Sequence, residues 1–186
     1  MRTEFRQKID RSKFLGIAFP IASEAAFFEQ LDVIAKHHHD ATHHCWAFRL
    51  FDSQRARSSD AGEPLGTAGR PILSAIEGAD LADVAVVVVR WFGGVKLGTG
   101  GLSRAYRETA AETLKSAETV DRYLYDRVHV IVPFDRLSDA YRLVDPPSVI
   151  LVGEEFGERN EFAFDVRRSL RNQFTQALAA RRLTLR

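Results

Sequence analysis

VAVVVVRWFGGVKLGTGGLSRAYRETAAETLKSA, residues 84–117, carries more structural instruction than any other stretch of this chain. Its opening, Val84 to Val89, is an unbroken apolar run of mostly β-branched residues, the pattern of a strand covered on both faces. The run closes on Arg90, Trp91 and Phe92, and five glycines follow within nine positions: Gly93, Gly94, Gly98, Gly100 and Gly101. Such a cluster permits left-handed turns and close approach of backbone to a neighbour. A helix is predicted next, with Thr99 as its N-cap and Leu102, Ala105, Tyr106, Thr109, Thr113, Leu114 and Ala117 recurring on one face.

Strand, glycine loop and helix start form a candidate anion cradle, because free N–H groups and the positive end of the helix dipole point the same way. Arg90, Lys96, Arg104 and Arg107 flank it, and no acidic residue lies between Val84 and Arg107. Arg70 joins them if its own loop folds back. The candidate anion or RNA site is therefore these cations with the backbone at Gly93, Gly94, Gly98, Thr99, Gly100 and Gly101. It matches neither the G-x-x-x-x-G-K-[ST] loop nor the G-x-G-x-x-G fingerprint. The glycines would equally serve a tight strand-to-helix connection with close packing, and both uses stay open.

Working upstream, Phe14 to Ile21 reads as a strand, preceded by charged residues that extend it as a hairpin or edge strand. Ser23 caps a helix with Glu24 in its first turn and Lys36 in its last, and with Phe27, Phe28, Leu31, Ile34 and Ala35 on its buried face. His43 to Phe51 is a predicted strand, with His43, Cys45, Ala47 and Arg49 facing one way and His44, Trp46, Phe48 and Leu50 the other. His37, His38, His39, His43 and His44 invite a zinc reading, but three consecutive helical residues diverge around the axis. A solvated, cationic-leaning helix end is expected there, and no metal is assigned. Cys45, two positions from His43, is a nucleophile or a buried small hydrophobe. The second is expected, and no catalytic residue is assigned.

Asp52 to Arg70 is poor in apolar residues and rich in Ser, Gly and charge. Its first half is expected to be mobile, and Asp60 to Pro71 to fold as a specific turn leading into a short helix through Ala79. Asp60 and Glu63 are a polar pair on this loop, serving as backbone caps or as a catalytic carboxylate pair. Trp46 and Trp91 are read as core.

Lys and Arg together number 26 against 25 Asp and Glu, so no global charge forces a nucleic-acid or membrane partner, and local patches must decide. The single cysteine excludes an internal disulfide, and no cofactor is called for. Neither a signal peptide nor an apolar run near the ~20 residues of a membrane span is present, which points to a cytoplasmic location without a membrane partner.

Past a junction near Ser116 to Arg122 the pattern changes. Val128, Val130 and Val132 alternate as a strand, Leu137 to Val144 repeats as a short helix stopped by Pro146 and Pro147, and Val149 to Phe156 is a second strand. A turn leads to Glu161–Arg167, then a helix through Leu170, Phe174, Ala177 and Leu178, then a final strand at Leu183 to Leu185. The order β-α-β-β-α-β is that of a ferredoxin-like domain.

Four ordered segments, SKF at 12–14, ATHHCWAFRL at 41–50, SSDAGEPLGTAGRP at 58–71 and VVVVRWFGGVKLGTGGLSRAY at 86–106, resemble the Impact family in its bacterial YigZ-type branch. The resemblance covers nearly the whole chain. It implies an α+β protein of two domains: an Impact N-terminal domain over residues 1–118 with the fold of ribosomal protein S5 domain 2, and a ferredoxin-like C-terminal domain over residues 122–186. Eukaryotic relatives regulate translation in a stress pathway that bacteria lack, so what the resemblance implies is a role near RNA or the ribosome.

Three functions are weighed. The first is a non-enzymatic RNA- or ribosome-associated protein contacting phosphates through the candidate site. The second is an enzyme binding a phosphate or carboxylate of a small substrate at the glycine-rich helix start. The third is a protein-binding module whose Asp52 to Arg57 loop orders on a partner.

Overall fold

The computed structural model describes residues 2–52 and 54–186. The chain divides into two compact units, Met1–Thr119 and Val120–Arg186. The first holds β1 (Thr3–Ile9), β2 (Ser12–Pro20), α1 (Glu24–His37), β3 (His43–Arg49), β4 (Ala56–Ser59), α2 (Gly69–Gly78), β5 (Val84–Trp91) and α3 (Gly98–Lys115). Its five strands form one sheet in the order β1-β2-β5-β3-β4, with every pairing antiparallel.

The apolar run at 84–89 occupies the centre of that sheet, and its alternation explains why it is continuous. Val86 and Val88 point into a core shared with Ile72 and Ile76 of α2 and Leu102, Tyr106 and Ala110 of α3. Ala85, Val87 and Val89 point the other way, onto Phe27 and Ile34 of α1. Helices on both faces leave no solvent side for polar residues, so the expected double covering holds although the sheet is antiparallel. β2 and β3 behave alike, with Phe14 and Cys45 on the α2/α3 side and Leu15 and Trp46 on the α1 side. Gly16 allows the close fit: a Cβ there would stand 2.0 Å from the Thr113 hydroxyl of α3.

Ser23 caps α1 as expected, its hydroxyl accepting from the Ala26 amide at 3.2 Å. Two local expectations are corrected. The first half of the 52–70 segment, expected to be mobile, is in part held in the sheet, because Ala56–Ser59 pairs with β3 as an edge strand; Ser53 within it lies outside the described residues. Thr99 is not an N-cap: α3 starts one residue earlier, and its cap position, Leu97, supplies no side-chain hydrogen bond.

The second unit holds β6 (Tyr125–Val132), α4 (Leu137–Tyr141), β7 (Val149–Glu155), β8 (Asn160–Arg167), α5 (Arg171–Ala180) and β9 (Thr184–Leu185). Its sheet order, β7-β8-β6-β9, is the ferredoxin-like arrangement. Alternation along β8 sends Phe162, Phe164 and Val166 inward, onto Val128 and Val130 of β6 and Phe174 and Leu178 of α5. The fold is thus α+β in both units. Among the described residues, no helix is long and apolar enough to cross a membrane.

Candidate functional site

The turn at 58–71 is organised by one carboxylate. Asp60 accepts from the amides of Gly66 (2.8 Å), Ala68 (2.8 Å) and Gly69 (2.9 Å), closing the loop and satisfying free amides at the start of α2. Burial alone would raise this carboxyl, yet the three amides hold it below the ordinary aspartate range. A lowered folded value means the stabilisation is complete above the unfolded value of about 4 and disappears as pH falls through the folded one. Asp60→Asn is therefore expected to cost about 1–2 kcal/mol near neutral pH, the low end because the carboxyl is only half-buried. Urea unfolding near pH 7 and near pH 3 checks this: the gap between the two proteins narrows in acid, and an equal gap at both values contradicts it.

With the turn fixed, Glu63 reaches inward. One oxygen, Oε1, accepts from Arg90 Nη1 at 2.6 Å and from the Tyr106 hydroxyl at 2.7 Å, with His43 Nε2 3.8 Å away. The Glu63 and Arg90 side chains retain only 3% and 5% of their exposure. Arg90 Nη2 donates to the Ser12 hydroxyl at 3.1 Å. The guanidinium carbon lies 5.5 Å from the Phe14 ring centre and 5.4 Å from that of Phe92, a cation–π environment suited to a weakly hydrated cation. Register explains the meeting, since Phe14, Arg90 and His43 stand side by side on β2, β5 and β3. Tyr106 then ties α3 to the same carboxylate.

These contacts decide what the cluster does chemically. Neither Asp60 nor Glu63 is a free base, one being bound to three amides and the other to a guanidinium and a phenol. Cys45 donates its thiol to the Asp60 carbonyl at 2.9 Å, and burial pushes the thiol up to about 12, far from a nucleophile's range. The cluster is a buttress between the 58–71 turn, the end of β5 and the flank of α3.

The histidines disperse. His43 joins the cluster, with Nδ1 3.0 Å from the Ala61 carbonyl, while His44 Nε2 is 3.1 Å from the His38 carbonyl. Burial pushes both His38 and His44 below the ordinary imidazole value, so these two depart from the cationic-leaning helix end expected of them. Among the described residues, no three metal-ligating side chains converge.

The predicted anion site separates into two parts. Arg90 lies inside, committed to Glu63, and is withdrawn from any surface ligand. Gly93, half-buried, is also committed: its amide donates to the Ser12 hydroxyl at 3.4 Å, and a Cβ would meet the Arg11 backbone at 2.1 Å. The start of α3 is different. Gly98, Thr99 and Gly100 are exposed, as are Gly94, Lys96, Arg104 and Arg107. Gly94 and Gly98 take left-handed φ of 87° and 69°, and no heavy atom lies within 4 Å of where a Cβ on Gly98 or Gly100 would stand. Gly101 is half-buried against Leu97. No described acidic side chain pairs with Lys96, Arg104 or Arg107. Arg70 is exposed in the first turn of α2, and nothing draws it to the glycine loop.

Ser12, His43 and Tyr106 were missed as partners of this region by sequence reasoning. One signal was available: Arg90 continues the inward alternation of Val86 and Val88, and a charge on a core-facing position requires a buried partner.

Residues 10–114 match the family model described as the Impact N-terminal domain. The Thermus thermophilus protein "IMPACT family member in pol 5'region" is 46% identical over 137 residues, covering 73% of this chain and 73% of that protein. "IMPACT family member YigZ" of Escherichia coli (strain K12) is 36% identical over 116 residues, 61% of this chain and 57% of that one. A solved structure, "Crystal structure of an hypothetical protein", aligns with TM-score 0.67 at 26% identity over 99% of this chain and 92% of its own.

Proposed function

This chain belongs to the Impact family, and from that premise we propose that it is a non-enzymatic, RNA- or ribosome-associated protein with a translation-linked or stress-linked regulatory role. The observation that supports the reading is the open start of α3. A helix leaves its first amides without intrahelical acceptors, and here no side chain caps them. Lys96 precedes that end and Arg104 follows it within two turns, and among the described residues neither has an acidic partner, so a phosphate group would find both N–H donors and uncompensated cations. Arg90 has no part in contact; it holds the strand end from which the loop departs.

The enzymatic alternative draws less support, because Asp60, Glu63 and Cys45, the groups suited to acid–base or covalent chemistry, are each spent on internal bonds. A protein partner at the Asp52 to Arg57 segment draws less as well, since its last two residues belong to β4.

Phosphate contacts predict binding that weakens with salt, with a slope of about −0.7 per phosphate on a single strand. Fluorescence anisotropy with a labelled RNA across ionic strengths tests this. Lys96→Ala with Arg104→Ala is expected to weaken binding and flatten the slope by roughly one. Affinity independent of salt, or unchanged in the double variant, contradicts the proposal.

A further inference from the structure

Trp91, read from the sequence as core, is only partly so. It is half-buried at the end of β5, one side packed against the α1-facing core. Its indole N–H donates to Asp40 Oδ2 at 2.9 Å, and its ring meets His38 edge-on, with centres 5.7 Å apart at 89°. The orientation of the indole is therefore fixed before any ligand arrives. Beside it runs a groove of about 590 Å³, lined by Arg6, Lys8, Lys13, Leu15, Asp40 and Trp91 among others.

Sheet register puts the groove's cations together. Lys13 stands opposite Lys8 on one side and Trp91 on the other, so all three share a face. Lys8 and Lys13 are exposed, and no described carboxylate pairs with either; Arg6, by contrast, is paired with Glu4 at 3.2 Å. Like charges directly opposite on neighbouring strands destabilise a sheet. Asp40, the carboxylate in the same groove, is engaged by the Trp91 indole and pairs with neither lysine, so an anion between the two ammonium groups would relieve that repulsion. A preset aromatic beside two unpaired cations is the combination by which unpaired bases and their phosphates are held.

We propose that this groove is a base-stacking subsite for single-stranded RNA, with Trp91 taking an unpaired base and Lys8 and Lys13 its flanking phosphates. The inference rests on the nucleic-acid reading above and adds to it a strand preference and a second contact area. The two areas lie at the same end of β5, joined by the glycine loop that runs from Trp91 to Gly98.

The test compares a labelled single-stranded RNA with a duplex of the same length, using wild type, Trp91→Ala, Trp91→Phe, Lys8→Ala with Lys13→Ala, and Lys96→Ala with Arg104→Ala. The groove predicts that wild type prefers the single strand and that Trp91→Ala loses about tenfold on it while Trp91→Phe recovers much of the loss. The Lys8 and Lys13 changes lie at exposed positions and leave the fold intact by circular dichroism, so they report on the groove even if Trp91→Ala unfolds; they too must weaken single-strand binding. Binding that is equal for duplex and single strand, or untouched by the lysine changes but lost with Lys96→Ala and Arg104→Ala, overturns the groove and leaves the helix start standing. No RNA binding by wild type overturns both.

Discussion

Glu63→Ala is expected to destabilise the first unit by about 3–5 kcal/mol, the cost of leaving one member of a buried ion pair without its partner. Glu63 Oε1 is the shared acceptor of Arg90 and Tyr106, and Arg90 is buried between Phe14 and Phe92 with its Nε already lacking a partner. Removing the carboxylate strands a full charge there. Arg90→Ala should cost a similar amount for the mirror reason. Because each single change strands the other partner's charge while the double change strands neither, the double substitution Glu63→Ala with Arg90→Ala should cost clearly less than the sum of the two. Urea unfolding of the four proteins gives the coupling directly. Additive losses would mean that the two groups do not sense each other, and a loss under about 1 kcal/mol for Glu63→Ala would place the pair in solvent.

Gly93→Ala is the second large effect, and Gly100→Ala in the same loop region should behave oppositely. At Gly93 a Cβ would stand 2.1 Å from both the carbonyl carbon and the carbonyl oxygen of Arg11. Those atoms belong to the tight turn between β1 and β2, where Asp10 and Arg11 take left-handed φ of 43° and 68°, so the backbone has little freedom to withdraw. Overpacking of this kind costs about 1–3 kcal/mol, and the upper end is expected because a backbone rather than a flexible side chain must yield. At Gly100 the space is open, and alanine in the first helical turn should be neutral or stabilise by up to about 1 kcal/mol. Thermal unfolding of both variants decides it. Equal effects at the two positions would mean that the loop is held less tightly against the β1–β2 turn than its geometry shows.

This contrast bears on what the sequence could say. The five clustered glycines had two open uses, close packing and ligand approach, and the fold assigns them separately: Gly93 to packing, Gly98 and Gly100 to an exposed helix start. Composition cannot make that distinction, because it depends on Arg11, which β-strand pairing brings to Gly93 from far away in the chain. The central strand, the Ser23 cap and the β-α-β-β-α-β order were legible because each follows from local periodicity or a single side-chain preference. Arg90 was misassigned to the surface because it was grouped with neighbouring cations by position. Its true partner, Glu63, sits on a separate turn, and only the sheet register and the Asp60 closure bring the two together. Thr99 was misread for a simpler reason: a good capping residue was present, but the helix already includes Gly98 and its cap position falls on Leu97.

The buttress and the open helix start are linked by what each leaves over. Glu63 neutralises Arg90, Asp60 satisfies the start of α2, and Ser12 takes up the Gly93 amide, so the loop is anchored while the first amides of α3 stay unclaimed. The most direct test is an amide nitrogen–proton NMR titration of the protein with a short single-stranded RNA. Donation to phosphate predicts that the amides of Gly98, Thr99 and Gly100 shift downfield early and together, and that the Lys96→Ala with Arg104→Ala variant reduces those shifts. Saturating RNA that moves other amides and leaves these three in place would contradict the account.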